Sequence, residues 1–305
     1  MLMKFKTLAD LMIAFSDPQV AIEHFTSIRW RNGQFCPHCG HDHVYKLSDA
    51  NRYKCAECKV HFSILVGTIF ENTKLPLRVW FGAVWLITNH PKGIASTTLA
   101  RDLGISQKSA WFVLHRLRHA ARTQSFNKPL SGIVEVDETF VGGKARNRHA
   151  RKRDGKPGPT ASGKTIVAGA VERNGDVVAR VVEDTSAETL TGFVRENVSP
   201  KGTLVVTDQW IGYHRLSKVY HHEIINHADG EYVRGEAHTQ TIESVWAMLK
   251  RQIMGIHHWV SAKHLDQYVA EMTWRMNRRA LNTEERINAL LDAVEGRLTY
   301  KALIA

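Results

Sequence analysis

The stretch Ile133-Val-Glu-Val-Asp-Glu-Thr-Phe-Val-Gly-Gly-Lys144 decides how the rest of the chain is interpreted. Its first residues have strand propensity, they lead to a carboxylate at Asp137, and Gly142-Gly143 ends the β-prone segment. A central strand is covered on both faces and is normally apolar, so acids within it oppose the pattern. We therefore expect Asp137 to end the strand and to have a chemical role.

Two later acids occur in compatible places. Asp208 closes a second apolar run, Thr203-Leu-Val-Val-Thr-Asp208, and Glu243 follows it in a segment with helical spacing, Thr241–Arg251. Carboxylates at the ends of neighbouring strands converge, because such strands lie about 4.8 Å apart, and a docked helix can supply a third. Oxygen ligands of this kind suit two Mg²⁺ (or Mn²⁺) ions about 3.5–4 Å apart, which catalyse phosphodiester chemistry. We predict that Asp137, Asp208 and Glu243 bind these metals.

The helical segment also carries two basic residues. Lys250 lies seven residues after Glu243, hence on the same side of the helix and about 10.5 Å along its axis. We predict that Lys250 and the adjacent Arg251 contact DNA phosphates, with Lys250 part of the catalytic group. The alternative is an amphipathic packing helix whose Glu and Lys are merely solvated.

Four cysteines, all within 23 residues, predict a metal site. Cys36 and Cys39 form one Cys-x2-Cys pair, fifteen residues follow, and Cys55 and Cys58 form the second. Two such pairs supply four thiolates in tetrahedral geometry, which suits one structural Zn²⁺ with no open position for water. A redox Cys-x-x-Cys would need only one pair and would leave the other unexplained.

The segment after the cysteines predicts a helix-turn-helix. Ser96–Leu103 and Gln107–Ala121 are helical patterns joined by Gly104-Ile-Ser106, with Ser106 as the N-cap of the second helix. Apolar residues of the second helix form its inner stripe: Ala110, Leu114, Leu117 and Ala121. We predict that Lys108 and Arg116, on other faces, contact DNA. Any tight pair of helices looks similar, so a purely structural pair is the alternative.

A basic run follows the opening stretch. Residues 144–156 hold seven Lys or Arg and one Asp, a composition that cannot bury itself. The run begins seven residues after Asp137 and could neutralise phosphates beside the acids, although such runs are often just solvated. The predicted DNA contacts in it are Lys144, Arg146, Arg148, Arg151, Lys152 and Arg153.

Composition sets the outer limits. The chain has 305 residues with 41 Lys and Arg against 30 Asp and Glu, a formal charge of +11 that attracts polyanions such as nucleic acid or simply marks a basic protein. No uncharged apolar run is long enough for a membrane span, and no secretory signal is recognisable. We expect a cytoplasmic, nucleoid-associated prokaryotic protein with no membrane partner.

Three motifs in order carry a family resemblance: Val136-Asp-Glu-Thr-Phe-Val-Gly-Gly-Lys144, Thr207-Asp-x4-Tyr213 and His238-Thr-x2-Ile-Glu-x2-Trp-x2-Leu-Lys-Arg251. Together with the zinc ribbon and the helix pair, they resemble the IS1595-type (ISXO2-like) insertion-sequence transposases over residues 15–285. The resemblance implies an RNase H-like DDE core, with Asp137, Asp208 and Glu243 as the metal-binding triad and Lys250 as a basic fourth member. Family members often have Asn where this chain has Gln240, which concerns a secondary contact only.

The expected fold is α/β (α+β), an RNase H-like catalytic core preceded by a zinc ribbon and a helix-turn-helix. The expected domains are a helical segment (1–34), zinc ribbon (35–66), helix-turn-helix region (67–125), catalytic domain (130–285) and helical tail (286–305). Other acids near the triad rank below it: Glu135, Glu138, Asp184 and Glu236.

The resemblance implies a DNA transposase that acts on double-stranded DNA, both transposon ends and target, as a homo-oligomer. It would bind terminal inverted repeats, cut to expose a 3′-OH, and join that end to target DNA. A zinc-ribbon regulator without catalysis is one alternative, but it has no use for three placed acids. An RNase H-like nuclease is another, and it would not need two DNA-binding modules in front.

Overall fold

The computed structural model describes residues 5–48, 51–123, 128–143, 163–226, 233–235 and 237–305. The chain forms two compact units, one of Met1–Gln124 with Arg278–Ala305 and the other of Ser125–Asn277. The sequence-based boundaries placed residues 278–285 in the catalytic domain and made 286–305 a separate tail. The contacts instead group all of Arg278–Ala305 with the first unit, which is therefore built from both ends of the chain.

The first unit is mainly helical. Its described helices are α1 (Leu8–Ala14), α2 (Pro18–Arg29), α3 (Leu77–Asn89), α4 (Ser96–Leu103), α5 (Gln107–Thr123) and, after the second unit in sequence, α9 (Thr283–Asp292) and α10 (Tyr300–Ile304). Its antiparallel sheet consists of β1 (Val44–Lys46), β2 (Arg52–Cys55) and β3 (His61–Ser63). Among the described residues no helix combines the length and apolar character needed to cross a bilayer.

The C-terminal segment joins this unit through specific bonds. The Ile69 amide donates to the Val294 carbonyl at 2.9 Å, and the Gly296 amide donates to the Gly67 carbonyl at 2.8 Å. The buried Arg29 guanidinium pairs with the Glu295 carboxylate at 2.7 Å. These bonds attach the end of the chain to the loop that follows β3. The two segments are more than 200 residues apart, so local sequence patterns could not predict this association.

The predicted helix pair is present in the first unit. Gly104 ends α4 at φ 64°, a left-handed conformation that favours glycine. Ser106 accepts the Ser109 amide at 3.1 Å, which confirms it as the cap of α5. The predicted inner stripe is buried, as the exposed fractions of its members show: Ala110 0%, Leu114 1%, Leu117 0% and Ala121 4%.

The second unit is a five-stranded mixed sheet with helices on both faces. Its elements in chain order are β4 (Ile133–Val141), β5 (Thr165–Glu172), β6 (Val177–Val182), α6 (Ala187–Asn197), β7 (Leu204–Asp208), β8 (His221–Ile225), β9 (Val233–Arg234), β10 (Ala237–His238), α7 (Gln240–Gln252) and α8 (Ala262–Asn277). A 3-10 helix, Ile211–Lys218, connects β7 to β8, and a π-helical turn, Ile253–His257, follows α7. The strand order is β6-β5-β4-β7-β8.

Strand direction changes at β4. β4 pairs antiparallel with β5, as β5 does with β6, whereas β4 with β7 and β7 with β8 are parallel. A hairpin turn joins β5 to β6, with Asn174 at φ 62° and the Gly175 amide bonded to the Glu172 carbonyl, a turn that an Asn-Gly pair favours. The arrangement confirms the predicted fold class, α/β with an RNase H-like core that follows the zinc-ribbon segment in the sequence.

Alternation along β4 divides its side chains between two cores. Val134 and Val136 pack with β5 alanines, α6 and the 3-10 helix on one face. On the other face Val167 and Val171 of β5 pack with the apolar stripe of α7 and with α8. Glu135 and Asp137 therefore share the α7 face, because alternate residues of a strand point the same way.

Candidate active site and zinc centre

The two strand acids lie at equivalent levels of neighbouring parallel strands. The strand register pairs Ile133 with Leu204 and Glu135 with Val206, and the same offset continued by two residues sets Asp137 beside Asp208. Adjacent strands are about 4.8 Å apart, so the Cα atoms that carry the two carboxylates belong to directly neighbouring strands. Both are partly buried. One expectation was wrong, since Asp137 does not end its strand: β4 continues to Val141 after its pairing with β7 stops.

Helix α7 covers this face and carries Glu243 in its first turn. The contact between helix and strand is made by Trp246, whose Nε1 donates to Asp137 Oδ2 at 2.9 Å. The indole crosses Gly169, the β5 residue paired with Asp137. A Cβ on Gly169 would lie 2.4 Å from the indole Cη2, so only glycine leaves room for this ring. Gly169 and Trp246 together fix the orientation of the Asp137 carboxylate.

The charges of Asp208 and Glu243 act on Asp137. Burial and repulsion from Asp208, with a smaller effect of Glu243, raise the pKa of Asp137 to about 6, although the Trp246 hydrogen bond opposes this. The three predicted metal ligands are therefore brought into one electrostatic neighbourhood. Among the described residues only the four cysteines already converge closely enough to bind a metal ion.

A further acid, Glu135, positions the start of α7. Its side chain is fully buried. Its Oε2 accepts the Thr241 amide at 2.8 Å and the Ile242 amide at 3.0 Å, and its Oε1 accepts the Thr241 hydroxyl at 2.8 Å. Thr239, the residue at the N-cap position, makes no side-chain cap bond. Glu135 thus caps the helix from β4 and replaces the missing local cap.

The buried charge of Glu135 is balanced by Arg173. The guanidinium Nη2 lies 2.9 Å and its Nε 3.2 Å from Glu135 Oε1. His238 Nδ1 is 3.3 Å from the same oxygen but lacks hydrogen-bond geometry. Glu135 ranked below the triad on sequence, and its role as a cap was hidden there because its partners at 241 and 242 are more than 100 residues away. The only available signal was a second acid on the same face of a central strand.

The far end of α7 is fixed as well. Arg275 of α8 donates to Gln252 Oε1 at 2.8 Å and pairs with the buried Glu271 carboxylate. Lys250 and Arg251, in the last turn of α7, are exposed. Both are therefore accessible to a polyanion, as the predicted phosphate contacts require.

Glu138 lies on the opposite face of β4. Its Oε2 accepts the Tyr213 hydroxyl at 2.6 Å. Burial raises the pKa of Glu138 to about 7, and the charges of Asp137 and Asp208 add to this effect while the Tyr213 bond opposes it. The tyrosine of the Thr-Asp-x4-Tyr motif therefore contacts an acid next to the triad, a role that spacing alone could not assign.

The four cysteines form a compact site in the first unit. Their sulfurs all lie within 4.8 Å of one another, with Cys36 to Cys58 at 3.7 Å and Cys39 to Cys55 at 3.5 Å. Tetrahedral zinc with Zn–S bonds of about 2.3 Å requires sulfurs about 3.8 Å apart, which these distances approach. The predicted set of ligands therefore fits one structural Zn²⁺.

Backbone amides and aromatic rings support the zinc site. The amides of His38 and Glu57 point at the sulfurs of Cys36 and Cys55, each at 3.4 Å. Tyr53 stacks on Phe62 with ring centroids 5.9 Å apart, as expected for so small a fold. These contacts orient the ligands from outside the first coordination sphere.

The prediction that Arg116 contacts DNA is wrong. Its guanidinium is buried and donates to the carbonyls of Ile69 at 2.7 Å and Leu298 at 3.1 Å. It also lies over the Phe112 ring at 4.4 Å. The C-terminal segment covers this part of α5, and the exposed residues of the helix lie near its end, at Arg122, and in its first turn. Lys108 in that turn is exposed, with its Nζ 5.2 Å from the Tyr300 ring centroid.

Several predicted residues lie outside the described residues. They are Glu236 and the six basic residues Lys144, Arg146, Arg148, Arg151, Lys152 and Arg153. Asp184 is described: it is exposed and accepts the Ser186 amide at 3.0 Å before α6. It lies outside the electrostatic neighbourhood that surrounds Asp137.

The acid-bearing mixed sheet and the four-cysteine zinc ribbon each match a transposase domain. Residues 129–277 match the ISXO2-like transposase domain, and residues 17–61 match the transposase zinc-ribbon domain. The first match coincides with the second compact unit to within a few residues. These matches confirm the resemblance to IS1595-type transposases, and the chain has the two domains of that family.

A relative from a transposable element covers nearly the whole chain. An uncharacterised protein in transposable element ISH50 of Halobacterium salinarum is 28% identical over 292 residues, which is 91% of this chain and 97% of that protein. The crystal structure of a pre-cleavage Mos1 transpososome contains a chain with 13% identity and a TM-score of 0.27, with 72% of this chain and 80% of that chain covered. A score that low carries no argument about fold or function.

Proposed function

We propose that this DNA transposase binds the terminal inverted repeats of its insertion sequence, cleaves a strand to expose a 3′-OH, and transfers that end into target DNA. The supporting observation is the equivalent register of Asp137 and Asp208 on parallel neighbours under the helix that carries Glu243. A sheet that needed only stability would bury apolar residues at these positions.

The donor set fits hard divalent cations. All three side chains offer carboxylate oxygens, which Mg²⁺ and Mn²⁺ prefer. Burial first, and then repulsion from Asp208, raise the pKa of Asp137, and a bound cation would relieve the repulsion. Asp137, Asp208 and Glu243 would hold the ions. When bound, two such ions activate the attacking oxygen and stabilise the leaving oxygen of a phosphodiester.

The remaining residues have supporting roles. Trp246 orients Asp137, and Glu135 fixes the turn of α7 from which Glu243 projects. Lys250 and Arg251 are exposed in the last turn of the same helix and would bind backbone phosphates. Their contribution would be positioning without sequence readout, because phosphate contacts carry no base information.

The first unit would recognise the transposon ends. Its zinc ribbon and the exposed first turn of α5, with Lys108, are the surfaces for this role, together with the basic run at 144–156 of the other unit. Two ends must be joined to one target, so we propose that the protein acts as a homo-oligomer on double-stranded DNA. It would act in the compartment that holds the chromosome.

Strand cleavage and strand transfer should be measured on duplexes that carry the ends of the element, with Mg²⁺ or Mn²⁺. Asp137→Asn, Asp208→Asn and Glu243→Gln should each lose both reactions and retain end binding, while Glu196→Gln, a surface control, should retain all three. Full activity of Glu243→Gln would refute the triad. Cleavage by the wild type without joining would indicate a nuclease on the same fold. Binding without cleavage would indicate a regulator.

A further inference from the structure

Exposed apolar side chains lie immediately beyond the proposed active site. Trp210 is 44% exposed and Ile211 is 70% exposed, and they lie two and three residues after Asp208, the last residue of β7. Exposed residues of this size are ordinary when single, but two in succession at the end of a strand that carries a proposed metal ligand suggest a contact surface.

Trp210 is held in place from three sides. Its backbone amide donates to Asp208 Oδ1 at 3.0 Å, and its indole Nε1 donates to the Thr185 carbonyl at 3.1 Å. A Cβ on Gly212 would lie 2.9 Å from the indole Cδ1 and Nε1, so glycine is needed there for the ring to occupy this position. The ring is therefore fixed although almost half of the residue is exposed.

The indole lines an open cleft of about 560 Å³ between the start of α6 and the 3-10 helix. Its walls combine Trp210 and Ile211 with the polar groups of Ser186, His214, Arg215 and Asp184. A flat aromatic and an aliphatic side chain suit a planar, uncharged ring, while Arg215 suits an adjacent phosphate. Asp184 would repel a phosphate but can accept a hydrogen bond from an exocyclic amine.

We propose that this cleft binds one unstacked nucleobase of the DNA strand beside the cleaved bond, with the base stacked on Trp210. The inference rests on the proposed function, because a scissile phosphate at Asp208 brings the neighbouring nucleotides over this surface. Bases stack on exposed aromatic side chains in proteins that bind unpaired strands. Enzymes that work on duplex DNA also move single nucleotides out of the stack into protein pockets.

The test is a double-mutant cycle in DNA affinity, in which Trp210 is substituted in the protein and single bases are removed from the DNA. Trp210→Ala, Trp210→Phe and the wild type would be titrated, without divalent metal, against element-end duplexes with one abasic site at each of the nucleotides flanking the cleavage position. One stacked base contributes about 5-fold to about 150-fold in affinity. At one position the abasic site should weaken DNA binding by the wild type by this factor and leave DNA binding by Trp210→Ala unchanged. Trp210→Phe should retain most of the coupling.

Two further variants separate stacking from folding and from other contacts. Gly212→Ala keeps the tryptophan but displaces its ring, so it should reproduce the loss of coupling. Trp259→Ala removes an equally large exposed side chain, 70% exposed and outside the cleft, and should keep the coupling. Circular dichroism would check that each variant is folded.

Additive losses at every position would overturn the proposal. Unchanged DNA affinity with altered self-association of Trp210→Ala would also overturn it, because the surface would then bind a second copy of the chain. Either result leaves the proposed function intact, since triad variants test that function independently. Active triad variants would refute the function, whatever the coupling.

Discussion

Replacement of Glu135 should uncouple α7 from the sheet and thereby displace Glu243. The carboxylate accepts two backbone amides and one hydroxyl from the start of α7 and also pairs with Arg173. Glu135→Ala leaves these groups buried without their acceptor. Glu135→Gln keeps the shape and one acceptor oxygen but loses the charge.

The expected loss of stability follows from the burial of the Glu135–Arg173 pair. Glu135 is 0% exposed and the Arg173 side chain 19% exposed, so solvent cannot replace the missing partner. Removal of one member of a buried ion pair costs about 3–5 kcal/mol, which we expect for Glu135→Ala. Hydrogen bonds to a charged group contribute about 1.5–3 kcal/mol, so loss of the charge in Glu135→Gln should cost about 2 kcal/mol. That corresponds to a roughly 30-fold larger population of the open helix start.

Hydrogen exchange of peptides from residues 240–252 in the full chain would measure this opening. Glu135→Gln should accelerate exchange there, reduce the cleavage rate and raise the metal concentration for half-maximal rate, with end affinity unchanged. The control is Glu196→Gln, whose partner Arg180 is 2.6 Å away on the surface, with side chains 44% and 59% exposed. Such exposed pairs contribute less than about 1 kcal/mol. Identical exchange and metal dependence in both variants would refute the anchoring role.

Three further predictions concern charge and metal. Because the pKa of Asp137 is raised to about 6 from 3.8, the metal-free folded state loses stability as pH rises from about 4 to about 6. Asp137→Asn should therefore be more stable than the wild type at pH 8, by at most about 3 kcal/mol, and equally stable at pH 3.5 in urea titrations; a lower stability at pH 8 would contradict this. Zinc removal, or Cys36→Ser, should unfold residues 35–62 and weaken end binding, and a zinc-free protein with wild-type circular dichroism and affinity would disprove it. The last prediction concerns four basic residues that would be neutralised together: Arg148, Arg151, Lys152 and Arg153. Their loss should reduce the slope of log affinity against log salt by up to about 3.6 for cognate and scrambled duplexes alike. An unchanged slope would mean that these side chains do not contact DNA.

Acids in otherwise apolar strands made part of the site predictable from the sequence. The part that depends on contacts between residues far apart in the chain was not predictable. Asp137 and Asp208 stood out because acids interrupt or end apolar strands. Local spacing could not distinguish the proposed metal ligand Asp137 from the cap Glu135, since both have the same signal on one strand face. Arg116 was misassigned for a related reason, because the carbonyl of Leu298 that it binds is 182 residues away.

The balance of charge at β4 provides a physical reason for a cation at this site. Glu135 has Arg173 and helix amides as partners, and the raised pKa of Glu138 makes that side chain partly neutral near pH 7. Within the described part of the chain, no Lys, Arg or His forms an ion pair with Asp137, Asp208 or Glu243. The fold therefore neutralises the acids that position the site and leaves the proposed ligands uncompensated. Like charges brought together in a partly buried place cost free energy unless a cation joins them. Metal binding should accordingly stabilise the second unit more above pH 6 than below it.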